Sequence, residues 1–240
     1  MLPTLYISHG SPMLALEPGA SGVQLRRLAT ELPRPKAILV VSAHWESDDL
    51  RVTGAAVPDI WHDFYGFPPP LYAVRYPAKG EPALAQRTIE LLQAAGLPAQ
   101  AVYPQADIPV LQLSLPSRLG PALQSRVGQA LRQLRGEGVL LIGSGSITHN
   151  LGELDWRAGP EAIAPWAREF RDWMVEKLQA DDEAALHDYR RQAPWAARNH
   201  PSDEHLLPLF FARGAGGGGM RVEHSGFTLG SLGMDIYRFD

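Results

Sequence analysis

The chain contains no cysteine. This absence excludes disulfide bridges, thiolate metal sites and cysteine nucleophiles, so any metal ion must be bound by histidine or carboxylate side chains. A run of about 18 apolar residues, which a membrane-spanning helix requires, is also absent. Residues 1–4 lack the basic region of a signal peptide. From these absences we expect a soluble, cytoplasmic protein with no membrane partner.

An excess of positive charge is absent as well. Lys and Arg total 22, Asp and Glu total 26, and the net charge is −4. Nucleic-acid-binding proteins usually present a basic surface, so we expect no nucleic-acid partner. The sequence also lacks a P-loop, a Gly-x-Ser-x-Gly nucleophile motif and a His-Glu-x-x-His motif. Gly143-Ser144-Gly145 begins like a dinucleotide-binding fingerprint, but Thr148 occupies the place of the third glycine, and we reject that interpretation.

The length of 240 residues suits one large domain. Segments with strand character alternate with segments of helical periodicity. This pattern predicts a single α/β domain over residues 1–240, with a central, mostly parallel or mixed, twisted sheet flanked by helices. The glycine-rich segment 214–219 is predicted to be a flexible loop. The sequence does not indicate an oligomeric state. The predicted strands cover residues 5–7, 37–41, 108–113 and 139–142, and the last segment, 227–239, also has strand character. The predicted helices cover 20–32, 82–95, 118–135, 161–179, 181–192 and 203–213.

Histidines follow three of the predicted strands. His9, His44 and His149 each lie within a few residues of a strand end. In open α/β sheets ligands bind beyond the carboxyl ends of the strands, and imidazole is a good ligand for zinc, iron, copper and nickel. A fourth candidate, His205, lies at a predicted helix start. Of the remaining histidines, we expect His187 to be solvated.

Eight segments of the sequence, taken together and in order, resemble one protein family. They are His9-Gly10-Ser11-Pro12, Ser42-Ala43-His44-Trp45-Glu46, His62-Asp63-Phe64-Tyr65-Gly66-Phe67-Pro68, Tyr76-Pro77-Ala78, Tyr103-Pro104-Gln105-Ala106-Asp107-Ile108-Pro109, Gly143-Ser144-Gly145-Ser146-Ile147-Thr148-His149-Asn150-Leu151, Glu204-His205-Leu206-Leu207-Pro208-Leu209 and Gly230-Ser231-Leu232-Gly233-Met234-Asp235. The family is the class III extradiol ring-cleavage dioxygenases of the DOPA-dioxygenase type, within the LigB superfamily.

The resemblance implies a LigB-like α/β domain with one divalent metal ion per chain at the carboxyl ends of the strands. By position, His9, His44 and His205 match the metal ligands, with Fe(II) as the active metal and Zn(II) as a metal that purified protein would carry. His149 matches an active-site histidine that acts as acid and base or approaches the metal as a further ligand. The residues expected to contact the substrate or to support the ligands are His62, Tyr65 and His200.

The implied reaction is extradiol opening of a catechol ring with O₂, so the expected partners are a small substituted aromatic diol and dioxygen. Three histidines with an open position also describe catalytic zinc. A zinc-dependent hydrolase is therefore one alternative. A non-enzymatic binding protein like the Memo-like members of the superfamily is another.

The sequence departs from the family pattern near residue 100. The family usually has a longer loop there, with an Asp-His-Gly motif and a nearby Trp, whereas Gln100-Ala101-Val102 here continues directly into Tyr103-Pro104. Either the loop is absent, or its residues are missing from the sequence at 100–102. We favour the second interpretation, and loss of the loop would motivate the binding-protein alternative.

Overall fold

The structure is a computed structural model that describes residues 1–57, 59–102, 109–159 and 161–240. These residues form an eight-stranded mixed sheet and a separate two-stranded hairpin. The strands are β1 Thr4–Ser8, β2 Ala37–Glu46, β3 Leu50–Thr53, β4 Ala99–Val102, β5 Val110–Leu115, β6 Val139–Gly145, β7 Met220–His224, β8 Phe227–Thr228, β9 Leu232–Gly233 and β10 Ile236–Phe239. The helices are α1 Gly19–Glu31, α2 Pro69–Tyr72, α3 Pro82–Ala94, α4 Gly120–Leu131, α5 Pro165–Gln179, α6 Glu183–His187, α7 Tyr189–Gln192, α8 Ala196–Asn199 and α9 Leu207–Gly216.

The order of strands across the large sheet is β4-β3-β5-β2-β6-β1-β10-β7. The central strands β5, β2, β6 and β1 are mutually parallel. Antiparallel neighbours extend the sheet on both sides, where β3 pairs with β5 and β10 pairs with β1. The prediction of an α/β fold with a mostly parallel or mixed sheet is therefore confirmed, and so are the four predicted strands.

The core lies mainly between one face of this sheet and α9. All ten residues of α9 are buried, which its apolar sequence explains. The other face of the sheet is covered more thinly, by a small cluster around Leu2, Leu5 and Leu140. In the residues that the structure describes, no helix is both long and apolar enough to cross a membrane.

Three of the predicted helices differ from the structure. The segment 181–192 forms two short helices, α6 and α7, because the chain turns at Asp188 between them. The helix predicted at 203–213 begins only at Leu207. The helix predicted at 161–179 begins at Pro165, the residue type that suits the first helical position since it has no N–H to donate.

The prediction of a flexible loop over 214–219 is wrong for its first half. Residues Gly214 to Gly216 form the buried last turn of α9. A Cβ on Gly214 would lie 2.2 Å from the Ser125 carbonyl oxygen of α4, so glycine permits these two helices to pack backbone against backbone. Composition alone does not distinguish this close packing from flexibility.

Strand β4 covers the segment at which the sequence departs from the family pattern. It pairs residue by residue with β3, from Leu50 opposite Ala99 to Thr53 opposite Val102. This pairing does not test whether residues are missing at 100–102, so that interpretation and its alternative, an absent loop, stay predictions. Residues 103–108 of the Tyr103–Pro109 segment lie outside the described part of the chain.

Candidate active site

The strand order brings the predicted histidines to one edge of the sheet. Because β2, β6 and β1 are adjacent and parallel, their carboxyl ends meet at this edge. His9 follows β1 directly, His44 lies near the end of β2, and His149 follows β6 after a short loop. His205 reaches the same place from the residues just before α9.

His9, His44 and His205 form a compact cluster. The ring centroid of His9 lies 4.8 Å from that of His44 and 5.3 Å from that of His205, and the centroids of His44 and His205 are also 5.3 Å apart. The Nε2 atoms of His9 and His44 are 3.1 Å apart. One ring nitrogen from each of the three lies within 4.8 Å of the others. Three nitrogens at this spacing can bind one cation.

The Nδ1 atom of each clustered ring has an oxygen partner. The distances are 3.0 Å from His9 to Ser144 Oγ, 3.1 Å from His44 to Asp63 Oδ2 and 2.9 Å from His205 to Glu204 Oε1. The two carboxylates can only accept, so Nδ1 carries the proton in His44 and His205. This tautomer leaves the Nε2 lone pair free, as metal-binding histidines require.

The site also favours neutral imidazole. Burial, together with the neighbouring His205, His44 and His149, lowers the pKa of His9 well below its usual value. Nitrogen lone pairs that face one another repel unless a proton or a cation lies between them. The lowered pKa of His9 means that its ring is unprotonated at neutral pH. A proton is therefore not expected between these nitrogens, and the three nitrogen donors fit a divalent metal ion instead.

His149 stacks on His205, with ring centroids 3.5 Å apart and planes inclined by 7°. Burial, and secondarily the adjacent His205, lowers the pKa of His149 to about 3. His149 is therefore neutral at pH 7, and the lowered pKa makes its ring nitrogen a weaker base than that of an ordinary histidine.

Glycines of β6 place His205. The backbone N–H of Ser146 donates to the carbonyl oxygen of His205 at 2.8 Å. A Cβ on Gly145 would lie 2.1 Å from that oxygen, and a Cβ on Gly143 would lie 2.1 Å from the carbonyl oxygen of Pro208. Because these two positions have no Cβ, the start of α9 can lie directly on β6. This close packing is the structural role of the glycines that begin like a dinucleotide-binding fingerprint.

A cavity of about 680 Å³ opens beside the cluster and includes all four histidines in its wall. Most of its other lining side chains are apolar. They come from three loops, residues 61–67, 151–156 and 229–232, and from the turn after β1. A planar aromatic ring is a good chemical match for such a wall.

The remaining predicted site residues lie outside this cavity wall. His62 packs against the rings of Phe64 and Tyr72, Tyr65 is 93% exposed, and His200 is fully buried. None of the three is among the residues that line the cavity in the described chain. Their expected role, contact with the substrate or support of the ligands, stays a prediction.

Sequence reasoning missed the three oxygen partners of the histidine rings. Asp63 lies between His62 and Tyr65 and lines the cavity in their place, while Ser144 and Glu204 also fall inside segments that carried the resemblance. The sequence could have indicated the two carboxylates, because a metal-binding histidine commonly donates the N–H of its second ring nitrogen to a carboxylate. Acidic residues within the segments that contain the histidines were therefore candidates. His187 was also misjudged, since it is half-buried, with Nε2 2.9 Å from Ser125 Oγ.

Replacement of Glu204 by Gln is expected to weaken metal binding by roughly 10–100-fold, because the ring of His205 loses a charged acceptor. The hydrogen bond to His205 is also the main reason that the pKa of Glu204 falls to about 2. Competition against a fluorescent chelator measures the change. Glu90, exposed on α3, provides the matched control Glu90→Gln, and equal affinities of the two variants would contradict the prediction.

His200 makes stability depend on pH. Its Nε2–H donates to the Ile147 carbonyl at 3.0 Å, while Nδ1 is buried without a partner. Burial lowers the pKa of His200 to about 4, so between pH 6.5 and 4 the unfolded chain binds more protons. The contribution of His200 to the free energy of unfolding should fall by roughly 3 kcal/mol as the pH drops through this window, and stay constant above it.

Urea unfolding at a series of pH values measures this slope. His9 and His149 contribute in the same direction, so the variant His200→Gln should have a smaller slope rather than none. An unchanged slope would show that His200 does not supply it.

Comparison with known proteins decides the family. Residues 3–240 match the family model described as the catalytic LigB subunit of aromatic ring-opening dioxygenase. The chain belongs to the LigB family. The dioxygenases of the LigB family are metal-dependent, and the histidine cluster supplies residues that can bind a metal ion. The predicted family and the predicted class of enzyme are thereby confirmed.

Individual LigB relatives are similar over nearly their whole length. The chain is 37% identical to the 4,5-DOPA dioxygenase extradiol of Beta vulgaris, covering 98% of this chain and 96% of that one. It is 38% identical to the protein of the same name from Escherichia coli strain K12, covering 97% and 93%. The first alignment spans 258 positions, more than the 240 residues of the chain, so the relative contains residues that this chain lacks.

A crystal structure supports the LigB fold. It belongs to an uncharacterized protein of Escherichia coli K12, is 29% identical, and covers all of both chains with a TM-score of 0.81. The family and these relatives support extradiol cleavage of a catechol ring as the activity, and an aromatic compound and O₂ as the reactants.

Proposed function

We propose that the chain opens the ring of a small substituted catechol by extradiol cleavage with O₂, at one divalent metal ion held by His9, His44 and His205. The observation that carries the proposal is the convergence of the three imidazoles at the wall of an apolar cavity. The oxygen partners of the rings support it, because they leave the Nε2 atoms free for a metal ion.

Iron(II) is the metal that suits this reaction. Bound there, it would supply the electron transfer that allows dioxygen to react with an aromatic ring. The protein's own contribution is to hold the reactants. The apolar wall orients the ring and excludes water, which turns an encounter of several molecules into a reaction within one complex.

His149 is proposed as the acid and base. It lies against the ring of His205 at the cavity wall and is neutral at pH 7. A neutral ring has a lone pair that can take a proton from a catechol hydroxyl group, and its low pKa favours the return of that proton as the ring opens.

Replacement of His149 by Gln is expected to lower kcat by roughly 10²–10⁴-fold with the metal content unchanged, because His149 lies outside the three-histidine cluster. Metal analysis and steady-state kinetics on one preparation test both statements. Loss of the metal together with activity would instead make His149 a ligand.

Aerobic assay of the iron-loaded protein tests the proposed function. Protein reconstituted with Fe(II) without oxygen, then mixed with 4-methylcatechol and air, should form a yellow ring-opened product and consume one O₂ per catechol. The Zn(II)-loaded protein should form none. If the iron-loaded protein never cleaves any catechol, the proposal is wrong.

Zinc-dependent hydrolysis is the second candidate, favoured only by the set of three histidines. A zinc-bound water with a pKa near 7 would be the nucleophile. Turnover of ester or amide substrates by the Zn(II)-loaded protein without oxygen would support it. The binding-protein alternative predicts a sealed or metal-free pocket, whereas the cavity lined by these histidines is open.

A further inference from the structure

The cavity beside the histidine cluster has no lysine or arginine in its wall, among the residues that the structure describes. Residues outside the described part would add none, since Pro58, residues 103–108 and Pro160 include neither type. Within the described part of the chain, the only carboxylate in the wall is that of Asp63, which is a partner of His44. An anionic group on a ligand would therefore find no cationic side chain in the wall.

Arg198 and Arg157, which lie near the cavity loops in space or in sequence, do not line it. Arg198 donates two hydrogen bonds to the carboxylate of Glu153, at 3.0 Å and 2.9 Å, and stacks over the ring of Trp166. Arg157 follows Trp156 in sequence but is not part of the wall. Pairing with Glu153 neutralises Arg198, so its charge does not substitute for a cation in the cavity.

The rim of the cavity is apolar and exposed. Trp61 is 88% exposed, Trp156 is 73% exposed and Leu151 is 65% exposed, and all three line the cavity. Large apolar side chains that cluster around a cleft mark a binding surface. A ligand with an apolar substituent would cover them.

Leu229, a residue of the cavity wall, has a left-handed backbone conformation that favours glycine. Leu229 has a φ of 51°, and its carbonyl oxygen accepts a hydrogen bond from the N–H of Asp155 at 2.9 Å. Backbone strain of this kind persists where surrounding structure imposes it and is frequent in ligand-binding segments. Here it places a leucine in the wall of the cavity.

We infer that the substrate of this enzyme is a catechol with an uncharged, apolar substituent, rather than an amino acid such as DOPA. This inference rests on the proposed function and narrows its substrate class. A carboxylate taken into this cavity would lose its hydration without gaining an arginine or lysine partner. An alkyl or aryl substituent would instead gain contact with the exposed tryptophans at the rim.

A matched pair of substrates tests the inference. The pair is 3-(3,4-dihydroxyphenyl)propionate and its methyl ester, which differ in charge but share the ring and the chain; L-DOPA and 4-propylcatechol form a second pair. With the Fe(II)-loaded enzyme, kcat/KM should be at least about tenfold higher for the uncharged member of each pair. Equal values, or a preference for the acids, would overturn the inference.

A cation added at the rim should weaken this preference. Leu151 is exposed, so Leu151→Arg is compatible with folding, and Leu151→Gln is a control of similar polarity without charge. The Arg variant should raise the acid-to-ester ratio of kcat/KM by roughly tenfold relative to the Gln variant. An identical ratio in both variants would show that charge at this wall does not select the substrate.

Binding measurements separate this inference from the proposed function. Quenching of Trp61 and Trp156 fluorescence reports occupancy of the cavity without turnover. If no catechol is cleaved, the proposed function fails and no substrate can be assigned, but tighter binding of the ester than of the acid would still show that the cavity prefers an uncharged ligand. Tighter binding of the acid contradicts it, whether or not cleavage occurs.

Discussion

Replacement of His44 by alanine is expected to remove the metal ion and lower kcat/KM by on the order of 10³-fold, since a metal ion contributes several kcal/mol to stabilising the transition state. His44 supplies one of three converging nitrogens, and two remaining imidazoles cannot hold the ion tightly. The side chain of His44 is 48% exposed, so its loss should leave the fold intact. Metal analysis after desalting and the catechol assay measure the two effects.

A half-buried histidine outside the cluster provides the control for this variant. His224, at the end of β7, is outside the cluster, and His224→Ala should keep both the metal and the activity. Circular dichroism and thermal unfolding of both variants establish that they are folded. Full metal content in the His44→Ala variant would exclude His44 as a ligand and leave the proposed site without one of its three nitrogens.

Replacement of Gly145 by alanine is expected to displace His205 and so disrupt the histidine cluster. The added Cβ would lie 2.1 Å from the carbonyl oxygen of His205, so the start of α9 must move away from β6, taking His205 with it. Overpacking of this kind costs about 1–3 kcal/mol, which lowers the Tm by about 2–4 °C for each kcal/mol in a domain of this size. Metal affinity should fall with it, although Gly145 contacts no metal.

Gly159 provides the matched control, because a Cβ at that position has no atom within 4 Å. The Gly159→Ala variant should match the parent protein in Tm and in metal affinity. Calorimetry and chelator competition on the two variants give the comparison. A Gly145→Ala variant with unchanged affinity would mean that β6 does not position His205.

The sequence was informative where the signal is local. The central strands are continuous apolar runs, which is typical of parallel strands with both faces covered, and the structure confirms them. Strands β3, β4 and β7 were not predicted, because they are short and lie towards the edges of the sheet, where apolar periodicity is weak. The loop predicted at 214–219 failed for a related reason, since glycine favours both a flexible loop and close helix packing.

The residues of the candidate site also divide into those that the sequence identified and those that it did not. The histidines after β1, β2 and β6 were identified because the carboxyl ends of parallel strands lie at one edge. The ligand roles of His9, His44 and His205 stay predictions, as does the role of His149. Asp63 could not be separated from its neighbours His62 and Tyr65 by sequence, because the segment between β3 and α2 has no regular periodicity that fixes which side chain points inward.

By itself the sequence determined three things. It provides histidines and no thiolates for metal binding, it has the alternating pattern of an α/β fold, and it resembles ring-opening dioxygenases. Only the tertiary structure decided which side chains meet. His205 joins His9 because α9 packs against β6 through glycines, and the apolar cavity forms from three loops that are distant along the chain. Helices and strands follow from the conformational preferences of neighbouring residues. Contacts between residues that are distant along the chain depend instead on packing across the whole domain.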